Sequence, residues 1–313
     1  MKKLFALVLV LALALACTAA LAEEYTVYLI TMDLEDMHWV SVNQGAEDAV
    51  AEAKEAGVDI RYVWSGPTVG KNDAAQIECI NNAYADNADV ILLASNGPET
   101  EVATIEQYNA DGVKFIYVDS PANSDVAMCT LATDNTAAGR LAAETLLAAL
   151  EEAGITEGKV GIVNINTATV STQYRENGFR EVFEGKGYEL LETQYGEGDA
   201  AKSQEIATNV ITQGVVALFG CNEGATVGVG NAIAAEEGST VLGVGFDKSD
   251  AILQLVVDGK LVATTAQNPY NMGYYGIKDA VEYLTNGTEE FEDMDTGVTM
   301  LTADYITENG LLG

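Results

Sequence analysis

From Tyr25 onward, short β-rich apolar runs alternate with longer runs of helical spacing, and that alternation leaves the chain few possible folds. Strands are predicted over residues 25–31, 59–65, 89–94 and 114–119, with helices over 39–56, 72–84 and 99–110 between them. The first helix carries Val42, Ala46, Ala49, Val50 and Ala53 on one face and stops at Gly57. Strands separated by helices of this length signify parallel βαβ units. After a less regular stretch, 120–134, the alternation restarts. Helices are predicted over 135–153, 171–183, 200–212, 223–236, 248–258 and 270–284, and strands over 159–164, 188–195, 215–220, 241–246 and 261–266. The remaining tail is loop-rich, with one short apolar segment at 297–301. Two rounds of winding of similar length predict an α/β protein with two similar doubly wound parallel-sheet lobes. A cleft between lobes is a preferred place for a ligand.

The chain has 313 residues, of which 48% are hydrophobic, enough for one large or two medium domains. Its formal net charge of −33 argues against nucleic acid or an anionic membrane surface as partner. Residues 1–22 read as a secretory signal peptide: Lys2 and Lys3, an apolar run from Leu4 to Ala16, and Ala20-Leu21-Ala22 as the cleavage site. The expected location is therefore outside the cytoplasm, in the periplasm or on the outer face of the cell envelope. Cys17 follows Ala14-Leu15-Ala16, an imperfect lipoprotein pattern, so a lipid anchor at Cys17 is the alternative to cleavage after Ala22. Cys79, Cys129 and Cys221 have no zinc or redox spacing and read as buried free thiols. With His38 the only histidine, a His-based triad or a multi-His metal site is not expected. No cofactor is expected.

In open α/β sheets, ligands bind outside the carboxyl ends of the strands. Applied along this chain, that rule collects Asp36 with His38 and Trp39, then Asn96 and Asp119, from the first round of winding. From the second it collects Arg175, reached through 166–169, then Asn222, Asp247 and Gln267. Carboxylates accept from hydroxyls, amides donate and accept, and Arg donates in a planar fork. Aromatic faces cover the C–H face of a sugar ring. This set suits a neutral polyhydroxy ligand; an anionic ligand would meet several acids and one Arg. Each residue also has a plainer reading. Asp247 can be a helix cap, Trp39 core, His38 an exposed loop residue, and Arg175 a surface partner of Glu176 or Glu181. A dinucleotide-binding turn is excluded because the turn after the first strand, Met32 to Met37, contains no glycine.

The chain contains Leu131-Ala132-Thr133-Asp134-Asn135 with Gly139-Arg140, and Tyr174-Arg175-Glu176-Asn177-Gly178-Phe179. It also contains Cys221-Asn222-Glu223, Val244-Gly245-Phe246-Asp247, and Asp258-Gly259-Lys260 through Ala266-Gln267. In these pieces it resembles the sugar-binding proteins of bacterial ABC transporters with the type I periplasmic-binding fold, in the ribose-binding-protein branch. The resemblance implies two lobes joined by a three-crossover hinge, near residues 133–134, 267 and 295–296. The expected N-terminal lobe is 23–133 plus 267–295, and the C-terminal lobe 134–266 plus 296–313. It also implies ligand contacts at Asp36, His38, Trp39, Asp119, Arg175, Asn222, Asp247 and Gln267, and delivery of a sugar or polyol to an ABC permease. Binding that draws groups from both lobes would favour a closed form. A monomer is expected. Ribose-type relatives have Asn at the position of Asp36, two Phe at His38-Trp39, and Arg at Ser120, and they carry an aromatic near Gly198-Asp199 that is missing here. These departures point away from ribose itself. The alternatives are a glycosidase using Asp119 and Asp247, and a receptor presenting ligand to a chemoreceptor. A sugar-responsive transcription regulator is opposed by the signal peptide and by the lack of a basic helix-turn-helix.

Overall fold

A computed structural model describes residues 24–68, 72–167 and 169–312. The expected signal peptide, Cys17 and Ala168 lie outside the described residues. The chain divides into two compact units, residues 24–132 with 269–295, and 133–268 with 296–312. Each has its own sheet and its own core.

In the first unit, β1 (Tyr25–Ile30), β2 (Ile60–Ser65), β3 (Val90–Leu93), β4 (Lys114–Val118), β5 (Thr130–Ala132) and β12 (Met294–Asp295) form a sheet of order β12-β5-β4-β3-β1-β2. Every pairing in it is parallel. Side chains of a strand alternate between faces, and both faces here are apolar. Val27, Leu29, Val90, Leu92, Ile116 and Val118 enter one core, and Tyr28, Ile30, Ile91, Leu93, Phe115 and Tyr117 enter the other. The first core is covered by α1 (Met37–Glu55) and α9 (Pro269–Asn286), through Val42, Ala46, Met272 and Ile277. The second is covered by α2 (Asp73–Ala85) and α3 (Val102–Ala110), through Ile80, Ala83 and Ile105. Each fully buried Leu or Ile contributes on the order of 2 kcal/mol.

The second unit repeats the plan. Its strands are β6 (Gly158–Asn164), β7 (Tyr188–Leu190), β8 (Gln194–Tyr195), β9 (Val215–Gly220), β10 (Leu242–Phe246), β11 (Ala263–Gln267) and β13 (Val298–Thr302). The sheet order is β13-β11-β10-β9-β6-β7, with β8 also on β6. One face packs on α4 (Asn135–Glu152) and α5 (Val170–Phe183), through Ala142, Leu146, Phe179 and Phe183. The other packs on α6 (Ala200–Ile211), α7 (Glu223–Ala235), α8 (Asp250–Val257) and α10 (Ala303–Glu308).

Several elements differ from expectation. The predicted strand 188–195 is split into β7 and β8, both paired to β6. The irregular stretch before residue 134 contains β5, and the tail contains β12, β13 and α10. β13 runs antiparallel to β11, so the second sheet is mixed at its edge. Gln267 completes β11, and Asn268 bonds to Thr296 O at 3.2 Å, so both belong to the second unit, two residues past the expected boundary. Cys129 and Cys221 are buried free thiols, while Cys79 is only half-buried. Burial pushes the Cys129 thiol up to about 12, and its Sγ donates to Asp279 Oδ2 at 3.6 Å. Among the described residues no helix is long and apolar enough to cross a membrane, and no cluster of His, Cys, Asp and Glu is arranged to hold a metal.

Candidate functional site

Parallel strands put all their carboxyl ends on one edge of each sheet, and the polar residues collected from the sequence sit along those two edges. In the first unit the chain leaves β1 and turns into α1 at Asp36. The Asp36 carboxylate accepts from His38 N at 2.9 Å, a helix-capping bond. The next turn brings His38 to Asp119, which follows β4: Nε2 and Oδ1 are 3.3 Å apart. Asp119 Oδ2 accepts from Ser120 Oγ at 2.6 Å. Trp39 meets His38 edge-on, with ring centroids 4.6 Å apart, and is 3% exposed among the core residues of α1. Its indole N–H has no hydrogen-bond partner among the described residues. His38, Trp39 and Asp119 are thus one group. Asp36 is bound up in its cap and is exposed.

Asn96 lies past the end of β3. Its Nδ2 donates to Met32 O at 3.0 Å and its backbone N–H to Gln76 Oε1 at 2.6 Å, while Oδ1 is buried without a hydrogen-bond partner among the described residues. Behind it, Glu101 accepts from Ser95 Oγ at 2.6 Å and from Gly97 N at 3.2 Å. Burial pushes the Glu101 carboxyl up to about 7, against the lowering effect of those two bonds. Because the folded value lies above the unfolded one, Glu101 adds stability below about pH 4.5 and loses that contribution as pH rises through about 7. Glu101→Gln keeps one acceptor and one donor for the same partners. Its stability relative to the parent protein is expected to rise from pH 5 to about pH 7 and then level off, by about 3 kcal/mol in all. A gap independent of pH in thermal melts would contradict this assignment.

In the second unit the centre is Asp247, directly after β10. Asp247 Oδ1 accepts from Gln267 Nε2 at 2.7 Å, and Oδ2 accepts from Glu223 N at 3.0 Å. Arg175 Nη1 lies 3.7 Å from Oδ2. Arg175 comes from α5 and is 5% exposed. Its Nε donates to Asn135 Oδ1 at 2.8 Å, its Nη1 to Cys221 O at 3.1 Å, and its guanidinium lies 3.7 Å over the Phe246 ring. The surface pairing considered for Arg175 does not occur. Glu176 pairs with Arg180, and Glu181 with Arg140. Asn222 caps α7, accepting from Ala225 N at 3.2 Å, and joins the group through the neighbouring Glu223 N–H. Asp247 therefore caps no helix of its own: Ser249 precedes α8.

Asp119 and Asp247 occupy matching places, each the first residue after a strand and each with positive φ, 61° and 70°. That conformation is uncommon for a residue with a Cβ and is tolerated best by Asn and Asp. In each unit it turns a carboxylate out at the strand end beside a nitrogen-rich side chain, His38 in one and Arg175 in the other. Four neighbours escaped the strand-end rule: Gln76 and Asn135 on helices, Phe246 within a strand, and Thr133, whose Oγ1 donates to Gln267 Oε1 at 3.0 Å. Asn135 and Phe246 do lie in the pieces that carry the family resemblance. A shallow groove lined by Asn177, Arg180, Glu181 and Tyr188 lies away from these residues, and its Arg180 is already committed to Glu176, Thr193 and Leu191 O.

Two α/β units, each ending its parallel strands in hydrogen-bonding side chains, define a binding protein for a small polar ligand. The chain belongs to the periplasmic binding protein family: residues 27–289 match the Periplasmic binding protein domain. It is 28% identical over 286 residues to the D-allose-binding periplasmic protein of Escherichia coli (strain K12), covering 88% of this chain and 89% of that one. It is 26% identical over 287 residues to the ribose import binding protein RbsB of Haemophilus influenzae, covering 91% and 94%. A solved carbohydrate transporter solute-binding protein from Agrobacterium radiobacter, in complex with D-arabinose, is 30% identical with a TM-score of 0.77, covering 92% of this chain and 97% of its own. These three are named for binding, transport or import, and none for hydrolysis.

Proposed function

We propose that this chain binds a neutral monosaccharide or closely related polyol outside the cytoplasm and delivers it, as a monomer, to an ABC permease. The observation that carries the reading is the Arg175–Asp247–Gln267 group, which sets a fixed cation, a carboxylate and an amide side by side at the ends of adjacent strands. A carboxylate flanked by donors accepts from a sugar hydroxyl, and Arg and the amide donate to the next one along the ring. Asp119, His38 and the indole N–H of Trp39 offer the same chemistry in the first unit. Asp36, Asp119 and Asp247 outnumber Arg175, which disfavours an anionic ligand. The relatives named for allose, ribose and arabinose support an aldopentose or aldohexose as the class to try first.

A thermal-shift panel tests this, with aldopentoses, aldohexoses, deoxysugars, ketoses, polyols and, as controls, amino acids. At least one sugar or polyol is expected to raise the melting temperature, equivalent to about 2.7 kcal/mol when present at a hundred times its Kd. Stabilisation by an amino acid and by no sugar or polyol would overturn the ligand class, and elution as an oligomer would overturn the monomer.

A further inference from the structure

We infer that Gln76, a fully buried residue of α2, is a positioning residue for the ligand-facing edge of the first unit; the inference rests on the function proposed above. Asn72 caps α2 by accepting from Ala75 N at 2.9 Å, which fixes the first turn of that helix beneath the ends of β1 and β3. From that turn the Gln76 amide reaches three backbone groups. Its Nε2 donates to Thr31 O at 2.9 Å and to Ala94 O at 2.8 Å, and its Oε1 accepts from Asn96 N at 2.6 Å. Both amide protons and the amide oxygen are thereby used.

The three partners are the places where chain leaves the sheet for the candidate site. The last ladder bonds of β1 run from Thr31 N to Ser65 O and from Ala94 N to Ile30 O, so the carbonyls of Thr31 and Ala94 fall just beyond the ladder. Thr31 begins the loop that leads to Asp36 and His38. Its Oγ1 donates to Asp33 O at 2.7 Å and accepts from Trp64 Nε1 at 2.8 Å. Asn96 closes the circuit by donating from Nδ2 to Met32 O at 3.0 Å. One buried amide therefore holds two site-bearing loops in register with each other and with α2. An apolar residue would pack at this position without any need for partners, whereas a buried amide is tolerated only when its groups are satisfied. No other side chain of this reach donates twice and accepts once. An ionised Glu only accepts, and a Met has no donor and only a weakly accepting sulfur.

The test compares Gln76→Met and Gln76→Glu with the parent protein by two readouts. The first is calorimetric affinity for the best sugar or polyol of the panel. The second is hydrogen exchange of residues 31–36 and 95–97 in the ligand-free protein. Both variants are expected to bind at least about tenfold more weakly while folded by circular dichroism. Exchange at Asn96 is expected to accelerate in Gln76→Met, which lacks the acceptor, and exchange in 31–36 in both variants, with the second unit unchanged. Gln76→Glu keeps an acceptor for Asn96 N and loses both donors, so its affinity and its exchange in 31–36 still decide the matter if Gln76→Met does not fold. A lower melting temperature with affinity within about twofold of the parent would make Gln76 merely structural and overturn the inference, as would unchanged exchange at Asn96 in Gln76→Met or in 31–36 in either variant. If the parent protein binds no sugar or polyol, the proposed function fails, and the exchange result alone then decides the role of Gln76.

Discussion

Replacing Arg175 with alanine is expected to abolish the ligand-induced rise in melting temperature and to weaken sugar binding by a hundredfold or more, about 3 kcal/mol. The expectation follows from how little else in the second unit can donate in the same way. Arg175 is held by Asn135, by the carbonyl of Cys221 and by the face of Phe246, so its fork is oriented before any ligand arrives. An oriented donor loses little conformational entropy on binding. The effect on stability should be smaller than the effect on affinity. Asp247 keeps Gln267 Nε2 and Glu223 N after the cation is gone, so no carboxylate is left buried and alone. Arg175→Lys is expected to recover little, because an ammonium neither forks nor stacks as a guanidinium does. Isothermal calorimetry beside thermal melts separates the two effects. An Arg175→Ala protein that binds within threefold of the parent would remove Arg175 from the site.

The departures from the ribose-type pattern fall mostly in the first unit. Where the resemblance implies an arginine after the strand-end aspartate, Ser120 bonds back to Asp119, and His38 takes the other carboxylate oxygen. The fixed positive charge on this side is replaced by a hydroxyl and an imidazole. Trp39 replaces a smaller ring but is largely withdrawn into the core of α1, where its indole N–H, not its face, is the unspent group. The ring-stacking role expected for Trp39 therefore has less support than its hydrogen-bonding role. The charge difference between the units places the strongest donor, Arg175, in the second.

What could be read from residue order and what could not divides along physical lines. A short, nearly unbroken apolar run marks β1, which buries both faces, and period 3.6 marks α1, which buries one, while the strand-end rule reaches Asp119, Asp247 and Gln267 because parallel strands share a carboxyl edge. β5, at three residues, is too short to show a period. β13 is held by pairing with β11, more than thirty residues away in sequence, and its own residues are only partly apolar. Local pattern carries no record of such a partner. Gln76 was invisible for a related reason. It lies in a helix, its polarity breaks the apolar stripe, and only the positions of Thr31, Ala94 and Asn96 in space explain it. The left-handed backbone at Asp119 and Asp247 also has no mark in the sequence, since aspartate serves equally well in caps, turns and on the surface.

Gly139→Ala is expected to cost the second unit about 3 kcal/mol, although it adds one methyl group to a helix and would ordinarily favour that helix. A Cβ at Gly139 would collide with the carbonyl of Arg175, and one at Gly178 would collide with the carbonyl of Thr136. α4 and α5 therefore cross backbone to backbone at a reciprocal pair of glycines. α5 cannot retreat to make room. Phe179 stacks on Phe219 at 4.4 Å, Arg140 Nε bonds Glu181 Oε2 at 2.7 Å across the helix pair, and Arg175 Nε is tied to Asn135 on α4. Any shift that relieves the methyl lengthens the Arg175–Asn135 bond, so affinity should fall together with stability. The two tryptophans, Trp39 and Trp64, both lie in the first unit, so their emission follows that unit while far-ultraviolet dichroism follows both. For Gly139→Ala the dichroism transition in urea should move to lower denaturant while the tryptophan transition moves less. Gly273→Ala, at the matching crossing of α9 on α1, should move the tryptophan transition instead. A Gly139→Ala protein whose dichroism transition stays within about 1 kcal/mol of the parent would show that the helices can part without cost, and that Arg175 is placed by its own bonds and not by the crossing.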